Sequence, residues 1–252
     1  MQAPPIELLG VRVHPLTVEE LHQRLAGYID NRQHALVFHA NVHGINLAVK
    51  DTAMMAALNR AEIVFCDGAG VILGARLLGH HIPERITYAD WMWQLAEFAA
   101  GRGDSLFFLG ARPGVAQAAA VRLVERFPTL QIAGVQDGYF NKSIGHPENE
   151  AVVRCINERR PNILVVGMGM PLQEQWLSEN WGRIEANVAL TGGAVFDYLS
   201  GELQRAPEWM TGNGLEWLGR LLIEPRRLWR RYLVGNPIFL SRVLKERFIG
   251  RR

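Results

Sequence analysis

Six short apolar runs recur along the first 192 residues, and each is followed or preceded by an amphipathic stretch. The runs are ALVFH (35–39), EIVFC (62–66), SLFFLG (105–110), QIAGV (131–135), NILVVG (162–167) and VALTG (188–192). Runs without polar alternation are typical of strands that helices cover on both faces. The intervening stretches have helical periodicity, and Thr17 with Glu20 forms a capping box at the start of one of them. The alternation predicts an α/β fold, Rossmann-like, with a mainly parallel sheet and helices on both faces.

The charge is distributed unevenly along the chain. Residues 202–252 contain ten arginines and one lysine against five glutamates, a net charge of +6, whereas residues 1–201 have a net charge of −4. We therefore predict an α/β core over 1–201 and a basic amphipathic helical appendage over 202–252. In EWLGRLLIEPRRLWRRYLVGNPIFL (216–240), arginines alternate with aromatic and aliphatic residues. This pattern suits a nucleic acid, a membrane surface or a phosphorylated substrate.

The cysteine content and the N-terminus indicate a cytoplasmic protein. Cys66 and Cys155 lie in apolar segments, as expected of buried thiols in a reducing compartment. The N-terminus has no basic region followed by an apolar core, so no signal peptide is expected. No uncharged apolar run reaches the ~20 residues of a spanning helix. Any membrane contact is expected to be peripheral.

Glycines lie at the carboxyl ends of the predicted strands, which form the ligand-binding edge of a parallel sheet. They include Gly110, Gly167, Gly169 and Gly193. Each could simply allow a tight turn, or it could let backbone amides approach a phosphate. Glycines in several loops together favour a nucleotide-sized ligand.

Several chemistries are disfavoured by the same loops. GMGMPL (167–172) lacks the third glycine of a dinucleotide fingerprint, and the chain has no GxxxxGK[ST] segment. His39 and His43 are four residues apart but have no HExxH context, and no D-x-D pair is present, so no metal site is expected. Asp67 follows a strand, where it could be a catalytic carboxylate or could cap the helix that begins near Gly70.

A series of segments, in order, resembles the TagA/WecG/CpsF glycosyltransferases from about Gly10 to about Leu240. They include CDGAGVILGARLLG, PERITYAD, LFFLGARPGVA, NILVVGMGMPLQEQWL and the block RAPEW–EW–EPRR. The resemblance implies an inverting transfer of a hexose-type sugar (N-acetylmannosamine, its uronic acid, or glucose) from a UDP-sugar to a polyprenyl-diphosphate-linked sugar. It places such enzymes in bacterial surface polysaccharide biosynthesis, at the inner face of the cell membrane.

The resemblance also implies a UDP-sugar and a lipid-linked acceptor as partners, a homo-oligomer in solution and no essential metal. From the net +6 of the appendage we expect an anionic membrane surface as a further partner. No cofactor is expected, and nucleic acid is disfavoured because it would leave the glycine loops unexplained. Two other readings stay open: a protein that binds single-stranded nucleic acid through the same arginines, and a non-catalytic protein that oligomerises through the appendage.

The resemblance assigns the catalytic residues. Asp67 matches the family's proposed base, and near its reference pKa of about 3.9 it is expected to be ionised but weakly basic. Asn41 and Arg85 match other site positions, suited respectively to sugar hydroxyls and to phosphate or acceptor. Thr87 and Asp90 could contact substrate or cap a helix.

Donor contacts are expected from two further segments. Gln173 looks like a donor-contacting residue, whereas Glu174 could serve the donor or complement the helix dipole. In DGYF, Tyr139 could stack on uracil with Asp137 as a polar partner, or it could be a buried aromatic residue near a turn.

Arg220, Arg227 and Arg230 match family arginines thought to reach the diphosphate from the appendage. Their spacing would place them on one helical face, although Pro225 is expected to start a second helix. Apolar bulk for an interfacial helix is expected from four side chains: Leu222, Trp229, Leu233 and Phe239.

The chain departs from the family pattern at two positions near the donor. His39 stands where many relatives have threonine, and Leu172 replaces the lysine of a Pro-Lys-Gln-Glu segment. The donor sugar is therefore left open.

Overall fold

A computed structural model describes residues 3–212 and 214–249. The chain begins with an antiparallel hairpin of β1 (Ile6–Leu8) and β2 (Val11–Val13). The six remaining strands form one parallel sheet in the order β4-β3-β8-β7-β5-β6. They are β3 (Ala35–Ala40), β4 (Ile63–Cys66), β5 (Ser105–Gly110), β6 (Gln131–Gln136), β7 (Ile163–Gly167) and β8 (Val188–Thr191).

Helices connect the strands and cover both faces of the sheet. They are α1 (Val18–Asp30), α2 (Val42–Ala48), α3 (Thr52–Arg60), α4 (Ala69–Leu77), α5 (Tyr88–Arg102), α6 (Val115–Arg126), α7 (Pro147–Arg159), α8 (Leu172–Asn180) and α9 (Val195–Ser200), with a 3-10 turn at Trp181–Arg183. The predicted capping box is present: Thr17 accepts from the Glu20 amide, and Glu20 accepts from the Thr17 amide. The α/β prediction is confirmed, including all six parallel strands.

The apolar strands supply two cores, one on each face of the sheet. Side chains alternate between the two, so that Phe38 belongs to one core and Val37 to the other. The same alternation separates Phe107 from Phe108 in β5. A strand placed between two cores must be apolar at every position, which explains the continuous runs in the sequence. Cys66 is buried, and Cys155 in α7 is only partly buried.

The segment after α9 forms a series of short helices. They are α10 (Glu208–Gly212), α11 (Glu216–Ile223), α12 (Pro225–Trp229), a π-helical turn (Arg230–Val234) and α13 (Gly235–Ile249). Pro225 occupies the first turn of α12, as expected, and the break at Glu224 means that α11 and α12 do not form one continuous helical face.

α13 packs on α2 and α4 rather than lying apart from the core. Phe239 and Val243 are buried against Gly74, and they belong to the same core as Val71 and Ala75. The expectation that Phe239 lies on an interfacial surface was therefore wrong. No helix within 3–212 or 214–249 is both long and apolar enough to cross a membrane.

Candidate active site

The carboxyl ends of β3, β4 and β8 bring the central polar residues together. β3 lies between β4 and β8, and the Asp67 amide donates to the Ala40 carbonyl at 2.9 Å, which holds the loop after β4 beside the end of β3. The Asp67 side chain keeps 22% of its surface exposed. α4 starts after Gly68, and no side chain of the described residues caps its first turn. Of the two roles considered for Asp67, the structure therefore does not show helix capping.

The environment of Asp67 makes its carboxyl a stronger base than the sequence suggested. Burial and, to a lesser extent, the nearby Glu216 carboxylate raise the pKa of Asp67 to about 7, against the opposing charges of Arg231, Arg85 and Arg220. The expectation of a pKa near 3.9 is corrected accordingly, since desolvation outweighs the arginines. A base with a pKa near neutral accepts a proton more readily than an ordinary aspartate.

His39 lies beside Asp67 and is almost fully buried. Its Nδ1 lies 3.1 Å from Thr191 Oγ1, and its Nε2 lies 3.9 Å from Asp67 Oδ2. Burial lowers the pKa of His39 to about 4, with the Arg231 charge acting in the same direction and the contact with Thr191 opposing it. The imidazole is therefore neutral at physiological pH.

Arg85 joins the core to the appendage. Its Nη2 donates to the Thr211 carbonyl at 2.9 Å, and its Nη1 lies 3.6 Å from Glu216 Oε2. Arg205 makes a second connection by pairing with Asp90 of α5. Arg85 and Asp90, which both lie in the core, thus contact the appendage. Asp90 does so through its carboxylate.

Asn41 and Thr87 both precede helices. The Asn41 side chain caps α2 by accepting from the Gly44 amide at 2.9 Å. Thr87 precedes α5 without capping it, and its buried hydroxyl has no partner among the described residues. Asn41 therefore has a structural role. The cap fixes the orientation of the Asn41 side-chain amide near Asp67.

The four glycines of the sheet edge serve different purposes. Gly110 and Gly167 pair at the ends of β5 and β7, where a Cβ on Gly110 would overlap the Gly167 backbone. Gly169 and Gly193 have positive φ values of 83° and 59° and open space where a Cβ would be. The first pair is required for close packing, and the second pair shapes open loops.

Gln173 closes these two open loops from the inside. Its Oε1 accepts from the Gly169 amide at 3.1 Å and from the Gly193 amide at 3.0 Å, while its Nε2 donates to Glu174 Oε1 at 2.8 Å. Gln173 and Glu174 are both fully buried. Gln173 therefore holds the loops after β7 and β8 together rather than presenting its amide to solvent.

Glu174 and Tyr88 are two further buried polar residues near the site. Burial raises the pKa of Glu174 to about 7, partly offset by the bond from Gln173. Burial also raises the pKa of Tyr88, and the charges of Asp67 and Glu174 act on it in the same direction. Glu174 Oε2 and the Tyr88 hydroxyl are buried without a hydrogen-bond partner in the described part of the chain. Unsatisfied buried atoms of this kind are typical of a functional site.

Tyr139 is exposed, and Asp137 organises its turn. The Asp137 carboxylate accepts from the Tyr139 amide at 2.8 Å, and 71% of the Tyr139 side chain is accessible. The alternative of a buried aromatic residue is wrong. The ring is available for stacking.

The appendage arginines do not all face the site. Arg220 is largely buried, lies over the Tyr198 ring and pairs with Glu224 at 3.3 Å. Arg227 pairs with the same Glu224 at 2.8 Å but is mostly exposed, and Arg230 is exposed over Trp229. Because the helix ends at Glu224, the predicted single face of these three arginines is not formed.

Arg231 takes an inward position that the sequence analysis did not assign. Its charge acts on Asp67, His39 and His43, and burial lowers its pKa. Its Nε is buried with no partner among the described residues. The π-helical turn at Arg230–Val234 changes the side-chain register after Trp229, and helical spacing alone does not predict such a turn. The consecutive arginines Arg230 and Arg231 were the one signal in the sequence for this inward side chain.

The described residues contain no cluster of three or more histidine, cysteine or acidic side chains that could hold a metal ion. The positive charge around Asp67 comes from Arg85, Arg220 and Arg231. The site can therefore combine a partly buried carboxylate with guanidinium groups suited to an anion.

Comparison with known proteins defines the class as a glycosyltransferase. The family described as Glycosyl transferase WecG/TagA/CpsF matches residues 6–252, so the chain belongs to the WecG/TagA/CpsF family. It is similar to N-acetylglucosaminyldiphosphoundecaprenol N-acetyl-beta-D-mannosaminyltransferases. The protein of that name from Bacillus subtilis (strain 168) is 30% identical over 87% of this chain and 82% of the relative. The one from Staphylococcus aureus (strain NCTC 8325 / PS 47) is 28% identical over 96% of this chain and 93% of the relative.

Proposed function

We propose that this glycosyltransferase moves a hexose-type sugar, with inversion, from a UDP-sugar to a sugar carried on a polyprenyl diphosphate. The names of the two relatives support the acceptor class, since both act on an N-acetylglucosaminyl-diphosphoundecaprenol. The observation that carries the proposal is the environment of Asp67, a partly accessible carboxylate surrounded by arginines at the carboxyl edge of the sheet.

The reaction is a single displacement. The Asp67 carboxylate accepts the proton of the acceptor hydroxyl, and the hydroxyl oxygen forms a bond to the anomeric carbon. The bond from that carbon to the β-phosphate oxygen breaks on the opposite face, and UDP leaves with the electron pair. A pKa near 7 lets Asp67 take up the proton as it is released.

Charge on the departing UDP is balanced by arginine rather than by a metal ion. Arg220 and Arg227 already share the carboxylate of Glu224, which occupies the position of an anion between them. A diphosphate that displaces Glu224 would gain two guanidinium partners. Arg85 and Arg230 are further candidates for diphosphate contact, the latter after a change of orientation.

The donor site lies on the other side of the sheet edge. Gly169 and Gly193 form open turns after β7 and β8, and the exposed Tyr139 ring offers a surface for uracil on a turn that Asp137 holds. Gly110, Gly167, Gln173 and Glu174 support these loops from within.

Peripheral attachment to the inner face of the cell membrane accounts for the appendage surface. Leu222, Trp229 and Leu233 are exposed beside Arg226 and Arg230. Apolar side chains next to arginines suit an anionic bilayer, where each basic residue contributes about 1 kcal/mol near the surface. This location would bring the site close to a lipid-linked acceptor.

A donor screen tests the proposal. Detergent-solubilised protein is offered several UDP-sugars with a short-chain lipid diphosphate sugar in chelator, and products are read by mass spectrometry. A gain of one hexose-type residue from one donor, with inverted anomeric configuration by NMR, is expected. Transfer that requires added Mg²⁺ would overturn the arginine assignment, and transfer with retention would overturn the single displacement.

A further inference from the structure

Position 39 combines two properties that the single-displacement mechanism does not use. His39 is almost fully buried, and its Nε2 directly faces the proposed base. The ring is held between other aromatic residues, with the Tyr88 ring edge-on at 5.1 Å and the Phe65 ring at 6.1 Å. A ring packed in this way has few alternative orientations.

The two ring nitrogens have separate partners. Nδ1 lies within hydrogen-bond distance of Thr191 Oγ1, and Nε2 points at Asp67 Oδ2 at 3.9 Å. The second distance exceeds a hydrogen bond, as is common for catalytic pairs before a ligand closes the site. Thr191 in β8 and His39 in β3 belong to neighbouring strands, so the sheet itself fixes the Nδ1 contact.

A neutral imidazole carries one donor and one acceptor, and a hydroxyl can act as either. If the Thr191 hydroxyl donates to Nδ1, then Nε2–H faces Asp67 and suits an ionised carboxylate. If Nδ1–H donates to Thr191, then the Nε2 lone pair faces Asp67 and suits a protonated carboxyl. Asp67 has to pass through both states when it accepts a proton from substrate, and His39 can match each of them without becoming charged.

We propose that His39 is a positioning residue for Asp67: held at Nδ1 by Thr191, it presents Nε2 to the carboxyl and matches both protonation states of Asp67 by exchanging tautomers. The proposal rests on the proposed function for its catalytic consequence. The tautomer exchange itself is a property of the resting protein.

Other charged and titratable groups also face this pair. They are Arg85 from the loop before α5, Tyr88 from α5, Tyr198 from α9, Glu216 and Arg220 from α11, and Arg231 from the π-helical turn. Burial keeps two further neighbours neutral, since it lowers the pKa of His43 to about 4 and raises the pKa of Cys66. Among the residues described, the only neighbouring groups whose pKa is raised to about 7 are the acids Asp67 and Glu174.

Two amide variants separate positioning from a structural role. In His39→Asn the side-chain amide can still reach Thr191 in place of Nδ1 but is too short for Asp67. In His39→Gln the amide reaches the position of Nε2 and offers either N–H or C=O. We expect His39→Asn to lower kcat by roughly 10–100-fold with little change in donor KM, because misplacement of a reacting group has this order of cost. We expect His39→Gln to recover most of the rate.

A merely structural role would give the opposite order. If the only role of His39 were its hydrogen bond with the Thr191 hydroxyl, His39→Asn would be the better tolerated variant. That result would overturn the proposal. Melting temperatures of both variants, measured beside wild type, show whether a loss of rate reflects unfolding. If both variants are unstable, the histidine nitrogen-15 NMR spectrum of wild type decides the question.

Nitrogen-15 NMR of histidine-labelled wild type reads the tautomer directly. We expect His39 to be Nε2-protonated above the titration of Asp67 and Nδ1-protonated below it, with the ring neutral throughout. One unchanged tautomer across pH 5.5–8.5, or a cationic ring near pH 7, would overturn the proposal. The resonance is assigned by its loss in His39→Gln. If wild type transfers no sugar but the tautomer exchanges, the proposed function fails and the positioning contact stands.

Discussion

Arg85 Nη2 lies 2.9 Å from the carbonyl oxygen of Thr211, a residue 126 positions later in the chain. This contact, together with the approach of Arg85 to Glu216, holds α10 and α11 over the loop that contains Asp67. Gly214 lies on Ala69 at the start of α4, so the appendage covers one side of the same loop. The proposed base and the appendage are therefore mechanically connected.

Replacing Arg85 with alanine should loosen this connection. A hydrogen bond from a charged group is worth roughly 1.5–3 kcal/mol, so opening of the appendage should become about tenfold more frequent or greater. Limited proteolysis between residues 202 and 215 measures that opening under conditions in which closing is faster than cleavage. Arg76→Ala on the exposed side of α4 is the matched control. Equal cleavage rates in the two variants would mean that other contacts hold the appendage.

Asp67→Asn should abolish most transfer while the protein remains folded. Loss of the base should lower kcat by on the order of 10²–10⁴-fold. The folded protein holds the Asp67 proton up to about pH 7, whereas the unfolded chain releases it near 3.8, so this group destabilises the fold as pH rises between those values. The variant should therefore gain more in melting temperature, relative to wild type, at pH 8 than at pH 5. Unchanged turnover would remove Asp67 from catalysis.

The pH profile of the wild-type enzyme gives an independent check on the environment of Asp67. Because burial raises its pKa to about 7, kcat/KM should rise about tenfold per pH unit below pH 7 and level off above it. With the pKa of an aspartate in water, the rising limb of the kcat/KM profile would lie about three pH units lower. The limb should disappear from the residual activity of Asp67→Asn. A wild-type limb near pH 4 would show that the arginines outweigh desolvation in solution.

Arg227→Ala should weaken turnover of the UDP-sugar, and added Mg²⁺ should not restore it. Arg227 shares Glu224 with Arg220, and loss of a guanidinium from a developing charge costs roughly 10²–10³-fold in related electrostatic sites. Arg226→Ala is the control, since Arg226 is an exposed residue of the same helix. Restoration of the wild-type rate by Mg²⁺ would assign the charge compensation to a metal ion.

Much of the fold follows from the sequence because its signals are local. The continuous apolar runs predict β3 to β8, and Pro225 predicts the start of α12. The site is less predictable, because its contacts join distant segments. His39 contacts Thr191, which lies 152 residues later in the chain, and Gln173 accepts a hydrogen bond from the Gly193 amide. Local spacing carries no information about such contacts. The inward position of Arg231 depends on a π-helical turn, and the raised pKa of Asp67 depends on how tightly the appendage covers it.

The exposed apolar residues of the appendage should contribute to membrane binding. Leu222 and Leu233 are 70% and 55% exposed beside the appendage arginines. Burial of such a side chain in a bilayer stabilises binding by roughly 1.5–3 kcal/mol, so Leu222→Gln with Leu233→Gln should weaken binding to phosphatidylglycerol vesicles by about 100-fold or more.

The control for this pair is Val121→Gln with Val124→Gln. These two valines are also exposed and apolar, but they lie on α6, away from the basic segment. Co-sedimentation at ~0.15 M salt should separate the two pairs, because screening at that ionic strength leaves the apolar contribution in place. If the α6 pair weakens binding as much as the appendage pair, the surface that meets the bilayer is not the appendage. If neither pair has an effect but added salt releases the protein, attachment depends on the arginines alone, and Arg226→Ala should then weaken it.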